Sequence, residues 1–285
     1  MTTVGIVSPG AMGSAIGRVL VAGGSRVVAT TMGRSERTDR LAEGLEVLPT
    51  LRDVIAASEI VLSVVPPGEA RAAAEAIAAA AAGSRSRPLV ADLNAVSPST
   101  AADVAVRLAA AGLDAVDGSI SGPPPRRAGT TVVYLSGPEA GQVAALAAPG
   151  LPLRVVGPSV GTASAIKMST ASFYKGQVGL LAQALRAAHA NGVLEHVLDD
   201  LGRAYPELVD GASRTLQSAA AKSARFVAEM REISQAQAAA GLTPDLFAAY
   251  AVVYAGLSAS EAARRTPEEA DPAVPLGDVL TSLGP

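Results

Sequence analysis

A glycine-rich turn near the start of the chain has the composition of a phosphate-binding loop. The apolar run Val4–Val7 leads into SPGAMG, and a helical pattern begins at once. Small residues let the backbone approach a pyrophosphate, and free N–H groups at a helix start attract its negative charge. The strict dinucleotide-binding fingerprint, GxGxxG, has glycine where this chain has Ser8. The predicted cofactor-binding residues of the turn are Ser8, Pro9, Gly10, Ala11, Met12 and Gly13.

The segment after the second predicted strand carries arginine before any acidic residue. In MGRSER, Arg34 and Ser35 precede the first acid, Glu36. At this place in a Rossmann-type domain a carboxylate binds the ribose of NAD, whereas arginine accommodates the additional phosphate of NADP. Arg34 and Ser35 are therefore predicted to bind that phosphate, with Arg37 as a second cation. A solvated basic loop is the alternative, and the glycine-rich turn favours NADP(H) over it.

Two later strand ends supply candidate contacts to the same cofactor. The strand pattern Ile60–Val65 ends before Pro66, and Leu89–Asp92 is followed by Asn94. Because ligands of open α/β sheets bind outside the carboxyl ends of strands, Val65, Pro66 and Asn94 are predicted to be cofactor-binding. Two alternatives stay open, namely a proline pair that merely ends a strand and an asparagine that caps a turn.

These residues need a sheet to position them, and the first half of the chain has its pattern. Short apolar runs alternate with helical stretches, which predicts a parallel sheet with right-handed crossovers. The predicted strands are Val4–Val7, Arg26–Thr31, Ile60–Val65, Leu89–Asp92, Ala115–Asp117 and Thr131–Ser136. The predicted helices are Ala11–Ala22, Arg37–Glu43, Ala70–Ala82 and Thr100–Ala111.

The pattern changes at about Ser159, after which no convincing strand follows. The predicted helices there are Thr162–Asn191, Glu195–Leu201, Gly211–Ala239 and Pro244–Leu257, and the tail after Pro267 is expected to be loosely ordered apart from a short turn. The predicted fold class is α/β + all-α. A Rossmann domain with a doubly wound parallel sheet occupies residues 1–160, and an all-helical C-terminal domain occupies residues 161–285.

Composition excludes several classes of function. The chain has no cysteine and only two histidines, so disulfides and thiolate catalysis are excluded and no metal site is expected. Its 23 basic and 26 acidic residues give a net charge of −3, which argues against nucleic-acid binding. The alanine-rich run 72–82 is interrupted by Glu75 and is too short to span a bilayer. We expect a soluble cytoplasmic protein with no nucleic-acid or membrane partner.

Three segments, in order, resemble motifs of the β-hydroxyacid dehydrogenase family, which includes 3-hydroxyisobutyrate and 6-phosphogluconate dehydrogenases. The opening GIVSPGAMG is similar to GFIGLGxMG, and DGSISGPPPRRAGT at Asp117–Thr130 is similar to the substrate-binding DAPVSGGxxGAxxGT. VGTASAIK at Val160–Lys167 resembles GxxGxGxxxK, and the helical part resembles a less characterised branch of the family. The resemblance implies NADP(H)-dependent hydride transfer to or from a small, anionic hydroxy or oxo compound.

The resemblance assigns the general acid/base role to Lys167, which ends the third motif. The surrounding helix is rich in alanine and serine, where a lysine contributes little to packing. Partial desolvation beside a cationic nicotinamide ring favours the neutral amine, which then takes the hydroxyl proton as hydride leaves carbon. The alternative is a lysine whose stem packs while its ammonium reaches solvent.

The resemblance also implies a substrate site, with two departures. The family has asparagine four residues after its lysine, where this chain has Ala171, so Thr170 or Tyr174 takes over that contact. The PPPRR segment replaces a glycine-rich continuation, and its arginines either pair with an anionic substrate or lie at the surface. The predicted substrate-binding residues are Ser121, Gly122, Arg126, Thr170 and Tyr174.

Two other functions stay open. NADPH-dependent imine reductases resemble this family but typically carry Asp or Tyr in place of Lys167, so the nearby Tyr174 keeps that reading open. A non-catalytic NADP-binding regulator belongs to another class and would fit a chain without an acid/base. The resemblance further implies a homodimer, because the C-terminal bundles of relatives pack across a two-fold axis. The roles of Lys175, Arg225 and Glu229 stay open.

Overall fold

The computed structural model describes residues 1–284, and the chain divides into two compact units. The first is Met1–Met168 and the second begins at Ser169. The predicted division at residue 160 lies a few residues earlier in the chain. Among residues 1–284, no helix has both the length and the apolar character needed to cross a bilayer.

The first unit is built on an eight-stranded sheet of order β3-β2-β1-β4-β5-β6-β7-β8. Neighbouring strands are parallel except β6 and β7, which pair antiparallel. The strand order reverses between β1 and β4, and ligands bind at such a switch point in doubly wound sheets. The strands are β1 Thr3–Val7, β2 Arg26–Ala29, β3 Glu46–Val47, β4 Ile60–Ser63, β5 Leu89–Asp92, β6 Ala115–Ser121, β7 Val132–Ser136 and β8 Leu153–Gly157.

Helices cover both faces of this sheet, each over its own apolar cluster. One cluster joins Ile6 and Leu62 to Ile16, and the other joins Val7 and Val61 to Ile77. Strands buried on both faces read as continuous apolar runs, as β1 and β4 do here. The helices of this unit are α1 Ala11–Ala22, α2 Glu36–Leu41, α3 Leu51–Ala57, α4 Ala70–Ala81, α5 Pro98–Ala110 and α6 Ala140–Ala144.

The second unit is helical. Helix α7, Thr162–Ala190, begins in the first unit and continues into the second. The core of the second unit is centred on Tyr254, which packs edge-to-face on Phe226 at 5.2 Å between ring centroids and donates its hydroxyl to the Lys175 carbonyl at 2.7 Å. The other helices are α8 Leu194–Ala204, α9 Pro206–Asp210, α10 Ala212–Ala220, α11 Ser223–Ala239, α12 Asp245–Ser258 and α13 Leu276–Ser282.

The structure differs from the sequence prediction at several places. The tail after Pro267 is ordered into α13, whose Val279 and Leu280 are buried. The predicted helix 211–239 is two helices, because the chain turns at residues 221–222 between α10 and α11. The sheet also contains the short β3 and the half-exposed edge strand β8, which lack the buried apolar pattern used to predict strands.

Candidate functional site

The glycine-rich turn joins β1 to α1 through a left-handed residue. Ser8 has φ 65°, and its carbonyl accepts the Gly10 N–H at 2.8 Å. A glycine adopts this conformation without cost, whereas another L residue pays about 1–2 kcal/mol. Ser8 thus has the backbone conformation that the glycine of the fingerprint would have.

Gly10, before α1, and Gly13 and Gly17, within it, have different surroundings. A Cβ on Gly13 would lie 2.8 Å from the Ser8 carbonyl oxygen, and one on Gly17 would lie 2.8 Å from Ile6 Cδ1. Both therefore allow α1 to pack closely on β1. A Cβ on Gly10 would meet nothing within 4 Å, so the space beside this residue is open. Gly10 occupies the second glycine position of the fingerprint, and an open face there is what the backbone needs to approach a pyrophosphate.

The N-terminus of α1 is suited to an anion. Gly10 is its N-cap, and within residues 1–284 no side chain caps this end and no acidic residue lies in its first turn. Helix N-termini carry a partial positive charge and unpaired N–H groups. Of the neighbouring predicted residues, Pro9 is buried, whereas Ala11 and Met12 are half-buried.

Arg34 and Ser35 lie in the exposed loop between β2 and α2. The Arg34 N–H donates to the Thr31 carbonyl at 2.9 Å, which closes the turn, and Ser35 is the N-cap residue of α2. Glu36, the nearest acid, faces Arg40 at 3.9 Å instead. In the described part of the chain, the Arg34 guanidinium forms no ion pair with a carboxylate.

Asn94 holds the ends of β4 and β5 together. Its Oδ1 accepts the Val65 N–H at 2.7 Å, and its Nδ2 donates to Ser63 Oγ at 3.1 Å and to Asp92 Oδ1. The side chain is buried and its amide is engaged with these protein groups. Asn94 therefore positions the backbone of Val65, which is half-buried, next to the exposed Pro66.

A row of buried polar residues crosses four neighbouring strands. Ser63 pairs in register with Asp92, Asp92 with Asp117, and Asp117 with Ser136. Residues directly opposite each other point to the same face of a sheet, so the four side chains form a continuous polar row. Each is at most 5% exposed. We name Ser63, Asp92, Asp117 and Ser136 the polar row. The sequence predicts Asp92, Asp117 and Ser136 at strand ends, but it does not show that these residues are neighbours.

The two aspartates of the polar row differ in their surroundings. Burial, with a contribution from the Asp117 charge, raises the pKa of Asp92 to about 7, and the polar side chains of Ser63 and Asn94 oppose this without offsetting it. Asp92 Oδ2 is buried without a hydrogen-bond partner among the described residues. Asp117, in contrast, accepts hydrogen bonds from four donors.

Lys167 lies beside the predicted substrate loop. It is half-buried on α7, and its Nζ donates to the Ile120 carbonyl at 2.8 Å, one residue before Ser121. Gly122 has φ 123°, and a Cβ there would lie 2.3 Å from the Thr130 carbonyl oxygen, so this turn requires glycine. The structure thus brings the Lys167 ammonium to the strand end that carries Ser121 and Gly122.

The remaining predicted substrate residues lie in the loop after β6 or on the part of α7 that belongs to the second unit. Arg126 is exposed in the loop after β6, where its N–H closes a turn on the Pro124 carbonyl at 2.7 Å. Thr170 is half-buried, and Tyr174 is 65% exposed and packs edge-to-face on Phe173. Their roles toward a substrate stay predictions.

A buried ion pair occupies the second unit. Lys175 and Glu229 form a salt bridge in which the side chains are 16% and 4% exposed. Lys175 Nζ also lies 5.0 Å from the centroid of the Phe226 ring. Arg225 lies over the same ring at 5.5 Å. The sequence predicts Lys222, Arg225 and Glu229 on one face of a helix, but it does not show that Glu229 pairs with Lys175.

A doubly wound sheet with an open glycine-rich turn, followed by a helical unit, defines a dinucleotide-binding protein with a helical C-terminal domain. Residues 3–148, more than half of the chain, match the NAD-binding domain of 6-phosphogluconate dehydrogenase. Residues 188–257 match a domain of unknown function, DUF1932. The chain belongs to the β-hydroxyacid dehydrogenase family.

Known proteins resemble this chain over most of its length. A conserved protein of unknown function, described as structurally similar to 3-hydroxyacid dehydrogenases, is 28% identical over 90% of this chain and 97% of its own, with a TM-score of 0.65. The 3-hydroxyisobutyrate dehydrogenase of Mycobacterium tuberculosis is 19% identical, with full coverage of both chains and a TM-score of 0.67. An imine reductase of Streptomyces aurantiacus is 21% identical over 93% of this chain and 97% of its own, with a TM-score of 0.54. At these identities the last two show the fold alone.

An uncharacterised protein of Methanothermus fervidus is 28% identical over 171 residues. The match covers 59% of this chain and 64% of that protein.

Proposed function

We propose that this protein is an NADP(H)-dependent oxidoreductase that transfers hydride between the nicotinamide and a small, anionic hydroxy or oxo compound. The contact of Lys167 Nζ with the Ile120 carbonyl carries the proposal. In this contact the ammonium lies at the carbonyl one residue before Ser121, within the same unit as the glycine-rich turn. An acid/base group, a candidate carboxylate site and a cofactor turn are the three parts that such a reaction requires.

Each part has a defined task. A bound nicotinamide would supply or accept the hydride. Lys167 donates a proton from Nζ to the carbonyl oxygen during reduction and takes the hydroxyl proton during oxidation. Ser121 Oγ and the Gly122 N–H bind the substrate carboxylate, which orients the reacting carbon toward Lys167. Thr170, Tyr174 and Arg126 are further candidates for substrate binding.

Replacement of Lys167 tests this function. Lys167→Met should lower kcat at least about 100-fold, because positioned acid/base groups contribute about 10²- to 10⁴-fold. NADPH affinity, measured by fluorescence titration, should change less than about twofold, since the pyrophosphate turn is untouched. Lys222→Met is the matched control, because Lys222 donates to Ser218 Oγ at 2.8 Å in the second unit. The assay monitors NADPH with a panel of small oxo and hydroxy acids, and wild-type turnover by Lys167→Met would refute the role.

The preference for NADP(H) over NAD(H) rests on Arg34 and Ser35. A hydrogen bond to a charged group contributes about 1.5–3 kcal/mol, so Arg34→Ala should raise the Kd for NADPH about 10- to 100-fold while the Kd for NADH stays the same. Arg40→Ala is the control, because Arg40 lies on α2 facing Glu36. Equal effects of Arg34→Ala on both cofactors would contradict the assignment.

Reduction of cyclic imines is the second candidate. The exposed Tyr174 on α7 favours it, because imine reductases resembling this family typically carry Tyr or Asp as the proton donor. The assays separate the two functions: cyclic imine turnover that needs Tyr174 but not Lys167 would select the imine reductase. Tight NADPH binding without any oxidation of the cofactor across both panels would select a regulator.

We also propose a homodimer formed by the second unit. Large apolar side chains are exposed on its helices, with Phe173 63% and Leu180 62% exposed on α7 and Val252 73% exposed on α12. Phe173 and Leu180 are seven residues apart and so lie on one helix face. Light scattering should give twice the mass of one chain for the wild type and the mass of a single chain for Leu180→Arg. A monomeric wild type would contradict the proposal.

A further inference from the structure

Helix α7 begins on a buried carboxylate of the neighbouring strand. Asp117 Oδ2 accepts the N–H groups of Gly161 at 2.9 Å and of Ser164 at 3.1 Å, and Asp117 Oδ1 accepts the Ser164 hydroxyl at 2.6 Å. Ser136 completes the junction, because its hydroxyl donates to Asp117 Oδ2 at 2.8 Å and accepts the Ala163 N–H at 3.0 Å. The first N–H groups of α7, which a helix cannot satisfy itself, are therefore bound by the polar row.

The same strand receives Lys167. Asp117 and Ile120 are three residues apart on β6, and their partners Ser164 and Lys167 are three residues apart on α7. Residues i and i+3 of a helix lie on one face, so both contacts are made by the face of α7 that lies against β6. A third contact, from Ser119 Oγ to the Ala163 carbonyl at 2.8 Å, lies between them. Strand and helix are thus joined at successive points that end at the Lys167 ammonium.

We propose that Asp117 is a positioning residue for Lys167. By anchoring the first turn of α7, its carboxylate fixes the depth and rotation at which the helix presents Lys167 Nζ to the end of β6. This inference rests on the proposed role of Lys167 as acid/base. Asp117 itself is 3% exposed and acts through the helix, not on the substrate.

The alternative is a purely structural role, in which Asp117 only stabilises the unit. A structural role predicts loss of folding and of cofactor affinity together. A positioning role predicts loss of kcat while NADPH affinity is kept, because a misplacement of about 1 Å costs on the order of 100-fold in rate. These two outcomes separate the roles.

Two variants of Asp117 and one control test the proposal. Asp117→Ala removes all four contacts, and we expect kcat to fall about 100-fold with the Kd for NADPH changed less than about threefold. Asp117→Asn keeps an acceptor for the Gly161 and Ser164 N–H groups and should recover about tenfold in kcat. Asp103→Asn is the matched control in the same unit, because Asp103 pairs at the surface with Arg71 and should leave kcat unchanged.

A readout without substrate supports the kinetic test. The chain has three lysines, at positions 167, 175 and 222. In protein labelled with ¹⁵N-lysine, the side-chain Nζ resonance that is missing from the spectrum of Lys167→Met identifies Lys167. That resonance should shift in Asp117→Ala and move back toward wild type in Asp117→Asn, whereas the resonances of the other two lysines should not change.

The outcomes distinguish this inference from the proposed function. If Lys167→Met keeps wild-type turnover, the proposed function fails whatever Asp117 does. If Lys167→Met is inactive while Asp117→Ala keeps wild-type kcat and an unshifted Lys167 resonance, the positioning role alone is overturned. Parallel loss of NADPH affinity and kcat in Asp117→Asn also overturns it. If Asp117→Ala does not fold, Asp117→Asn and Ser164→Ala decide, with a selective fall in kcat expected for both.

Discussion

Replacement of Asp92 by asparagine should remove a pH dependence of stability. Asp92 lies in the polar row next to Asp117, is 5% exposed, and has a pKa raised from 3.8 to about 7 mainly by burial. The folded state therefore binds a proton that the unfolded state has already released between these two pH values. Stability falls as pH rises through this window and no further above it. A carboxamide carries no charge at any of these pH values, so Asp92→Asn should not show this fall.

The magnitude follows from the size of the pKa change. One pKa unit corresponds to about 1.4 kcal/mol, so the full effect is about 4 kcal/mol, of which about 3 kcal/mol falls between about pH 5 and pH 8. Asparagine has nearly the same size and shape as aspartate, and Oδ1 at position 92 can still accept from Asn94 Nδ2. The NH₂ group of the new asparagine takes the place of Asp92 Oδ2, which has no hydrogen-bond partner among the described residues, so the substitution breaks no hydrogen bond of that oxygen. We therefore expect Asp92→Asn to be the more stable protein at about pH 8.

Urea unfolding of wild type and variant at several pH values checks this prediction. The difference in free energy of unfolding between them should grow by about 3 kcal/mol from about pH 5 to pH 8. Asp103→Asn is the control. Its hydrogen bond with Arg71 holds the pKa of the Asp103 carboxyl below the usual value, so its contribution is lost only in acid, below this window. A constant difference between Asp92→Asn and wild type would refute the reasoning.

Three further substitutions test the turn and the helical unit. Gly10→Ala should keep Tm within about a degree but weaken NADPH binding at least tenfold, whereas Gly13→Ala, with its Cβ 2.8 Å from the Ser8 carbonyl, should lower both Tm and affinity; equal effects would contradict the open face at Gly10. Ser8→Gly should raise the free energy of unfolding by about 0.5–1 kcal/mol, because glycine adopts the left-handed conformation of residue 8 without strain. Calorimetry should therefore show a higher Tm, and an unchanged Tm would contradict the strain at Ser8. Glu229→Gln should cost about 3 kcal/mol in urea unfolding, because it leaves the Lys175 ammonium without a counter-charge, and adding Lys175→Met should recover most of that loss; a double variant as unstable as Glu229→Gln would contradict this explanation.

The Rossmann half of the fold could be predicted because its signals are local. β1 and α1 carry an apolar run, a glycine-rich turn and a helix start in immediate succession, and the predicted bounds of α1 are the observed ones. Helix α7 was equally readable from its long alanine- and leucine-rich pattern. The two-residue β3 and the half-exposed β8 have no such pattern, because neighbouring strands and not their own residues make them strands.

The capping box that begins α3 shows a local signal that was available but not used. Thr50 and Asp53 exchange side-chain and backbone hydrogen bonds, which is the S/T-x-x-D/E pattern of a helix start. For α13 no such signal exists. Its order comes from burial of Val279 and Leu280 against other parts of the second unit. The proline-rich segment that precedes α13 is typical of a loop, so the sequence does not predict this helix.

The polar row shows what a sequence cannot reveal about a site. Ser63, Asp92, Asp117 and Ser136 are spread over more than 70 residues, and each taken alone is an ordinary polar residue at a strand end. Only the register of four strands makes them neighbours, and the two buried carboxylates differ in their hydrogen bonds, because Asp117 accepts four and Asp92 Oδ2 accepts none from the described residues. Motifs could therefore nominate Lys167 as the acid/base. The residue that holds its helix in place, Asp117, could be found only once the strands were paired, because its role lies in contacts with residues 161–164 and not in its own spacing.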